Sequence, residues 1–308
     1  MTALDVLAER LGERALRDAP LGERTTYRVG GTAALLVEAR TVEDLEHVSE
    51  ALETSGVPVL VVGRGSNLLV SDRGFGGLAV VLSGEFEVID PATEDRDGVV
   101  SVRAGGAVAL PVLARRCSDQ GRIGLEWAVG VPGSVGGGVR MNAGGHGDDV
   151  ASSLRDAEVF DLRAGTASVR PASSLALRYR HSNLSAHEVV TAATFTVARG
   201  DPAASRERVA EIVRWRREHQ PGGPNCGSVF QNPPDDHAAR LIEAAGAKGR
   251  RHGTATVSDK HANFIQSDRD GSADDVAALI GEVRDLVAAD SGVALRTEVV
   301  FVGFEGCR

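Results

Sequence analysis

Two glycine-bearing stretches have the residue types that could hold a phosphate. In Val62-Gly63-Arg64-Gly65-Ser66-Asn67-Leu68, a turn directly follows an apolar run, and small residues there bring backbone N–H groups close to an anion. The same pattern also suits an ordinary turn with glycine at positive φ. It is not the dinucleotide fingerprint that opens a helix, because branched apolar residues follow at once. The second stretch runs Gly130-Val131-Pro132-Gly133-Ser134-Val135-Gly136-Gly137-Gly138 and continues through Met141-Asn142-Ala143-Gly144-Gly145. Each glycine adds unfolded-state entropy, a cost that a backbone wrapped around a cofactor offsets. The interleaved Val131, Pro132, Val135, Val139 and Met141 indicate an ordered segment rather than a long flexible loop. Three short segments carry groups that could act on a substrate: Leu177 to Ser182 with Tyr179 and Arg180, Cys226 to Pro233 with Ser228 and Asn232, and Thr297-Glu298-Val299. Taken singly, these are a surface charge or a turn hydroxyl.

The elements that must position these groups are legible in the apolar spacing. Thr41 is placed to cap a helix with Val42, Leu45, Val48 and Leu52 on one face, followed by a buried-strand run from Val57 to Val62. Strands are expected at Leu78 to Leu82, Val99 to Arg103, Ala157 to Leu162 and Val189 to Val197. After Gly200-Asp201-Pro202 come three helical patterns: Arg206 to Glu218, Ala238 to Ala245 stopped by Gly246, and Ala273 to Ala289 with Ser272 and Asp275 spaced as a capping box. The fold class is α+β, with a domain boundary near residue 200.

A chain of 308 residues, 42% hydrophobic and 25% charged, is globular and long enough for about two domains. Its net charge of −9 disfavours general affinity for nucleic acid or an anionic membrane surface. Cys117, Cys226 and Cys307 are odd in number and widely spaced, so neither a disulfide framework nor a metal cluster is expected, and a cytoplasmic setting is the simplest reading. The segment Met1 to Leu21 has Leu4, Leu7 and Leu11 at helical intervals but no uninterrupted apolar core of the signal-peptide kind. No apolar run approaches the length of a membrane span.

Seven motifs occur in a fixed order. They are Arg24-Thr25-Thr26-Tyr27-Arg28-Val29-Gly30-Gly31, the Gly63 to Asn67 turn, the Gly130 to Gly145 stretch, Tyr179-Arg180-His181-Ser182, Gly227-Ser228-Val229-Phe230-Gln231-Asn232-Pro233, Lys260-His261-Ala262-Asn263-Phe264 and Glu298-Val299. From about residue 22 to 303 the chain thereby resembles the UDP-N-acetylenolpyruvoylglucosamine reductase (MurB) family. The short connection after Ser182 and the Cys226-Gly227-Ser228-Val229-Phe230-Gln231 run resemble the subtype that lacks a tyrosine-bearing insertion.

The resemblance implies an FAD-binding domain of the vanillyl-alcohol-oxidase type over residues 1–200, in two subdomains split near 85, and a smaller α+β substrate-binding domain over 201–308. It implies non-covalent FAD held by Gly63, Arg64, Gly65, Ser66, Asn67, Gly130, Pro132, Gly133, Ser134, Gly136, Gly137, Asn142, Ala143 and Gly144. NADPH is the implied co-substrate, and the enolpyruvyl ether of UDP-N-acetylglucosamine, a peptidoglycan precursor, is the group reduced. Ser228 corresponds to the proton donor, Arg180 to the arginine that holds and polarises the substrate carboxylate, and Glu298 to the acid that assists. Tyr179, Arg216, Gln220 and Asn232 are candidate substrate contacts, and a monomer is expected. Lys260, His261 and Asn263 form a motif read as a structural loop, and Met141 and Trp215 as packing residues. Two other readings compete. A flavin oxidase of the same fold would tether flavin through His or Cys, which the Gly63 to Asn67 turn lacks although His146 lies near the second loop. A flavin-free nucleotide-sugar-binding regulator would be expected to lose Ser228 or Glu298.

Overall fold

The structure is a computed structural model and describes residues 1–304; the expectation for Cys307 falls outside them. The described chain forms two compact units. The first comprises Met1–Arg17, Leu35–Arg64 and Gly77–Trp215, and the second Asp18–Ala34, Gly65–Gly76 and the residues from Arg216 onward. This differs from a single cut near residue 200. The strand Val300–Val302 pairs in parallel with Leu68–Val70, Ser71 N–H donates to the Val302 carbonyl at 2.8 Å, and Gly31 N–H donates to the Ser71 carbonyl at 2.9 Å. Backbone ladders therefore draw residues 18–34 and 65–76 into the C-terminal unit. The division falls inside the helix Pro202–His219 rather than at Gly200.

In the first unit, the helices Ala3–Leu11 (α1) and Val42–Leu52 (α2) bury Leu7, Leu11, Leu45, Val48 and Leu52 against a sheet ordered Ala15–Pro20, Thr32–Ala39, Phe75–Leu82, Val59–Val62. The expected Thr41 cap is present as a full capping box with Asp44. Val59–Val62 runs parallel to Phe75–Leu82, and the crossover between them is the segment 63–74, which carries the strand Leu68–Val70. A six-stranded sheet follows, centred on Glu188–Arg199, which pairs antiparallel with Leu154–Asp161 on one side and Val100–Gly105 on the other. Its edge strand Thr166–Pro171 is almost wholly exposed. The helix Leu110–Asp119 (α3) buries Leu110, Leu113 and Cys117 in the core of this layer.

The glycine-rich stretch is not loop throughout. Val135–Met141 forms a short helix (α4) capped by Ser134, whose hydroxyl accepts the Gly137 N–H at 3.2 Å. A Cβ on Gly136 would come 3.1 Å from the Val190 carbonyl oxygen and 3.2 Å from that of Gly106. Glycine therefore lets this helix lie directly on sheet backbone, and low helix propensity is offset by close packing. The helix Pro202–His219 (α5) starts four residues earlier than the apolar spacing suggests, because Pro202 is well suited to the first helical turn.

In the second unit, Ala238–Ala244 (α6) and Ala273–Ser291 (α7) pack on the three-stranded sheet Arg251–His252, Ala255–Val257, Ile265–Ser267 around Leu241, Ile242, Val257, Leu279 and Val283. The expected capping box of α7 is only half formed. Ser272 accepts the Asp275 N–H at 3.1 Å, but the Asp275 carboxylate turns to Thr254. Thr254 Oγ1 instead accepts the Ser272 N–H at 2.8 Å, and Asp72 takes the Ser272 hydroxyl and the Ala273 and Asp274 N–H groups. No described helix is long and apolar enough to cross a membrane.

Candidate active site

Ser228 and Glu298 lie in the second unit on two chain segments that pair with each other. Glu298 N–H donates to the Val229 carbonyl at 2.7 Å, Gln231 N–H to the Arg296 carbonyl at 2.9 Å, and Phe230 bridges Thr297 in antiparallel register. Val229 and Phe230 are buried in the core of the unit, so the segment after Ser228 is anchored by both its side chains. Ser228 and Glu298 are themselves only half-buried. Asn67 holds Glu298 from the other side: its Nδ2 donates to the Glu298 carbonyl at 3.0 Å, and its own carbonyl accepts the Val300 N–H at 2.9 Å. Asn67 therefore has a positioning contact that the reading as a cofactor ligand did not include.

Asn263, expected only as part of a structural loop, holds the Ser228 segment. It is buried, its Oδ1 accepts the Phe230 N–H at 3.0 Å, and its Nδ2 donates to the Phe230 carbonyl at 2.8 Å. Its carbonyl also accepts the Val229 N–H at 2.9 Å. A polar amide set between Ala262 and Phe264 was the available signal, since buried amides must find partners.

Beneath this ladder, Cys226 and Tyr27 are both buried. Burial pushes the Cys226 thiol up to about 12; the Glu298 carboxylate adds in the same direction and the Tyr27 hydroxyl opposes. Stability from the buried neutral thiol is fully present below the unfolded thiol's pKa, about 8.5, and is lost as pH rises through the folded value. Cys226 is therefore expected to resist alkylation by iodoacetamide in the native protein at mildly alkaline pH and to react once guanidinium unfolds the chain. Equal labelling rates before and after unfolding would contradict this.

Arg180 belongs to the first unit. Reciprocal backbone hydrogen bonds between Arg178 and His181, at 2.9 and 3.0 Å, close a tight turn in which Arg180 takes φ +54°. That left-handed conformation costs a non-glycine residue roughly 1–2 kcal/mol, and the surroundings hold it. Asn142 Nδ2 donates to the Arg178 carbonyl at 3.1 Å, and the Ser182 hydroxyl donates to the Arg140 carbonyl at 2.6 Å. The Arg180 guanidinium donates to the Gly144 carbonyl at 3.1 Å and lies 4.9 Å from the centroid of the exposed Tyr179 ring.

Several expected ligand contacts have internal partners. The Asn142 amide is buried, giving Nδ2 also to Asp149 and taking the Ala151 N–H on Oδ1. It serves the α4 terminus and the Arg178–His181 turn, so any cofactor contact from Asn142 would be through its main chain. Arg216 Nε donates to Gln220 Oε1 at 2.7 Å, pairing two candidate substrate contacts with each other, and burial lowers the Arg216 pKa. Asn232 Oδ1 accepts the Ala238 N–H at 3.1 Å and so caps α6. Pro132 is exposed, whereas Gly133 and Ser134 are buried, the serine as helix cap.

The turn after Val62 offers backbone rather than side chain on its exposed face. Gly63 and Arg64 are exposed, and a Cβ on Gly63 would lie 2.4 Å from Ser134 Oγ. Gly65 sits at φ +61°, and a Cβ there would lie 2.4 Å from the Arg24 carbonyl oxygen. Bare main chain beside a guanidinium suits a flat, diphosphate-bearing cofactor, so the residues fit FAD. Gly65→Ala is expected to destabilise the protein by about 1–3 kcal/mol, through strain and a backbone clash, and to lower the flavin-to-protein ratio. A melting temperature and flavin content equal to those of the parent would refute this account of the turn.

The fold and the glycine turn together define a protein with an FAD-binding domain: residues 33–168 match the family described as FAD binding domain. Residues 218–302 match the C-terminal domain of UDP-N-acetylenolpyruvoylglucosamine reductase. A UDP-N-acetylenolpyruvoylglucosamine reductase of Synechococcus sp. (strain RCC307) is 41% identical over 93% of this chain and 93% of its own length. A UDP-N-acetylenolpyruvoylglucosamine reductase 2 of Symbiobacterium thermophilum is 39% identical over 96% and 97%. The crystal structure of the Thermus caldophilus reductase (MurB) superposes with a TM-score of 0.80 at 34% identity, covering 94% of this chain and 99% of that one. The chain belongs to the UDP-N-acetylenolpyruvoylglucosamine reductase family.

Proposed function

We propose that the protein reduces the enolpyruvyl ether of UDP-N-acetylglucosamine to the lactyl ether, UDP-N-acetylmuramate, at the expense of NADPH, in peptidoglycan precursor synthesis. The observation that carries this reading is the 2.7 Å hydrogen bond from Glu298 N–H to the Val229 carbonyl, which joins the segments of the expected proton donor and acid in a chain of this family. FAD, when bound, would supply the two-electron redox chemistry that links NADPH oxidation to reduction of the enolpyruvyl double bond. Gly63, Arg64, Gly65, Ser66 and Asn67 would hold its diphosphate, with Gly130, Pro132, Gly133, Ser134, Gly136, Gly137, Ala143, Gly144 and the Asn142 main chain against the rest. With neither His nor Cys in the Gly63 to Asn67 turn, the cofactor is released by acid rather than tethered.

Arg180 binds the substrate carboxylate and stabilises the enolate that develops beside it, since a guanidinium presents a fixed donor fork to a planar oxyanion. Ser228 gives its hydroxyl proton to the carbon bearing the ether oxygen, and solvent returns that proton to the serine. A serine hydroxyl is a weak acid, but an enolate with carbanion character is a strong base, so placement decides the rate. Glu298 assists at the same intermediate as a hydrogen-bond donor or through water. Tyr179, Arg216, Gln220 and Asn232 are the proposed contacts to the rest of the UDP-sugar, working as a monomer in the cytoplasm. Purified protein supplied with NADPH and the enolpyruvyl UDP-sugar should yield a product heavier by two hydrogens. NADPH oxidation indifferent to the sugar would defeat the reading.

A further inference from the structure

We infer that Asn263 is a positioning residue for proton delivery, holding the Ser228 hydroxyl in place through the Val229–Phe230 backbone. The inference rests on the reading of Ser228 as proton donor. Gly227, immediately before Ser228, stands at φ +80°, a conformation that fixes little on its own. The Gly227 N–H donates to Asn225 Oδ1 at 2.9 Å, and more hydrogen bonds hold the chain on the other side of Ser228. Val229 and Phe230 are bonded along both edges, to Glu298 and Asn263, and the Asn263 edge uses three hydrogen bonds from one residue. The side-chain amide imitates a neighbouring strand, accepting from the Phe230 N–H and donating to the Phe230 carbonyl. Asn263 is 3% exposed, and its own N–H donates to His261 Nδ1 at 3.3 Å, so the loop that presents it is also pinned. An apolar residue would fill the space, but only an amide or a protonated carboxyl satisfies both main-chain groups of Phe230 at once.

The test follows the two half-reactions separately in the holoenzyme with Asn263→Ala, Asn263→Asp, Ser228→Ala and the Asn263→Ala/Ser228→Ala double variant. Asn263→Ala is expected to slow flavin reoxidation by the enolpyruvyl UDP-sugar by about 10²-fold, the effect of a misplacement of order 1 Å, with flavin reduction by NADPH unchanged. In the Ser228→Ala background it is expected to add almost nothing, because the group it positions is gone. Asn263→Asp supplies a signature that a merely structural role would not produce. Protonated, the carboxyl donates to the Phe230 carbonyl as the amide does; ionised, it cannot. Reoxidation in that variant should therefore fall as pH rises through a new ionisation, raised by burial, that is absent from the parent and from the reductive half-reaction. Should Asn263→Ala not fold, this pH profile decides alone. Equal slowing of both half-reactions, a full additional loss in the double variant, or an Asn263→Asp profile parallel to the parent's would overturn the inference while leaving Ser228 untouched. If Ser228→Ala itself leaves reoxidation intact, the proton-donor reading falls and the inference with it.

Discussion

Ser228→Ala is expected to slow flavin reoxidation by the enolpyruvyl UDP-sugar by at least about 10²-fold, the low end of general-acid effects, while flavin reduction by NADPH stays near normal. The asymmetry follows from the chemistry. A proton is needed only when the double bond is reduced, and Ser228 stands on a segment whose following residues are held by Glu298 on one edge and Asn263 on the other. The variant loses one hydroxyl from a half-buried position and no core contact, so its unfolding free energy should stay within about 0.5 kcal/mol of the parent's. Stopped-flow measurement of each half-reaction separates the outcomes. Equal loss in both half-reactions would refute the assigned role.

Arg180→Met is expected to lower the rate of the same oxidative half-reaction by about 10²- to 10³-fold, the range seen when one donor to a developing oxyanion is removed, and to raise the concentration of sugar needed for half-saturation. Methionine keeps the length of the side chain and removes both its charge and its donor fork. The Arg178–His181 turn should survive, because it is closed by backbone hydrogen bonds and braced by Asn142 and Ser182 rather than by the guanidinium. Unchanged reoxidation, or a loss confined to reduction by NADPH, would remove Arg180 from the oxyanion role.

The order of motifs along the chain made Ser228, Arg180 and Glu298 readable as candidates, since each is a side chain whose type is its chemistry. The residues that hold them were less legible. Asn263 acts on the main chain of a residue 33 positions away, and sequence shows side chains but not which peptide they meet. Asn232 and Asn142 show the same limit: their amides also engage main chain, at α6 and at the Arg178–His181 turn, which residue type alone does not reveal. Elements with clear apolar spacing, such as α2 and Glu188–Arg199, could be placed, whereas the exposed edge strand Thr166–Pro171 has no alternation to read. Helix α4 is hidden by three consecutive glycines whose value lies in a close approach to sheet backbone. The discontinuous second unit could not be read from composition, because it is assembled by ladders between segments more than two hundred residues apart.

The account is tested most directly by an anaerobic single turnover. The holoenzyme is reduced with one equivalent of NADPH and then mixed with the enolpyruvyl UDP-sugar while the flavin absorbance is followed. The predicted result is return of the oxidised flavin spectrum only when the sugar is added, with stoichiometric formation of the lactyl ether. A flavin that stays reduced in the presence of the sugar and reoxidises only on admission of oxygen would contradict the account and point to an oxidase.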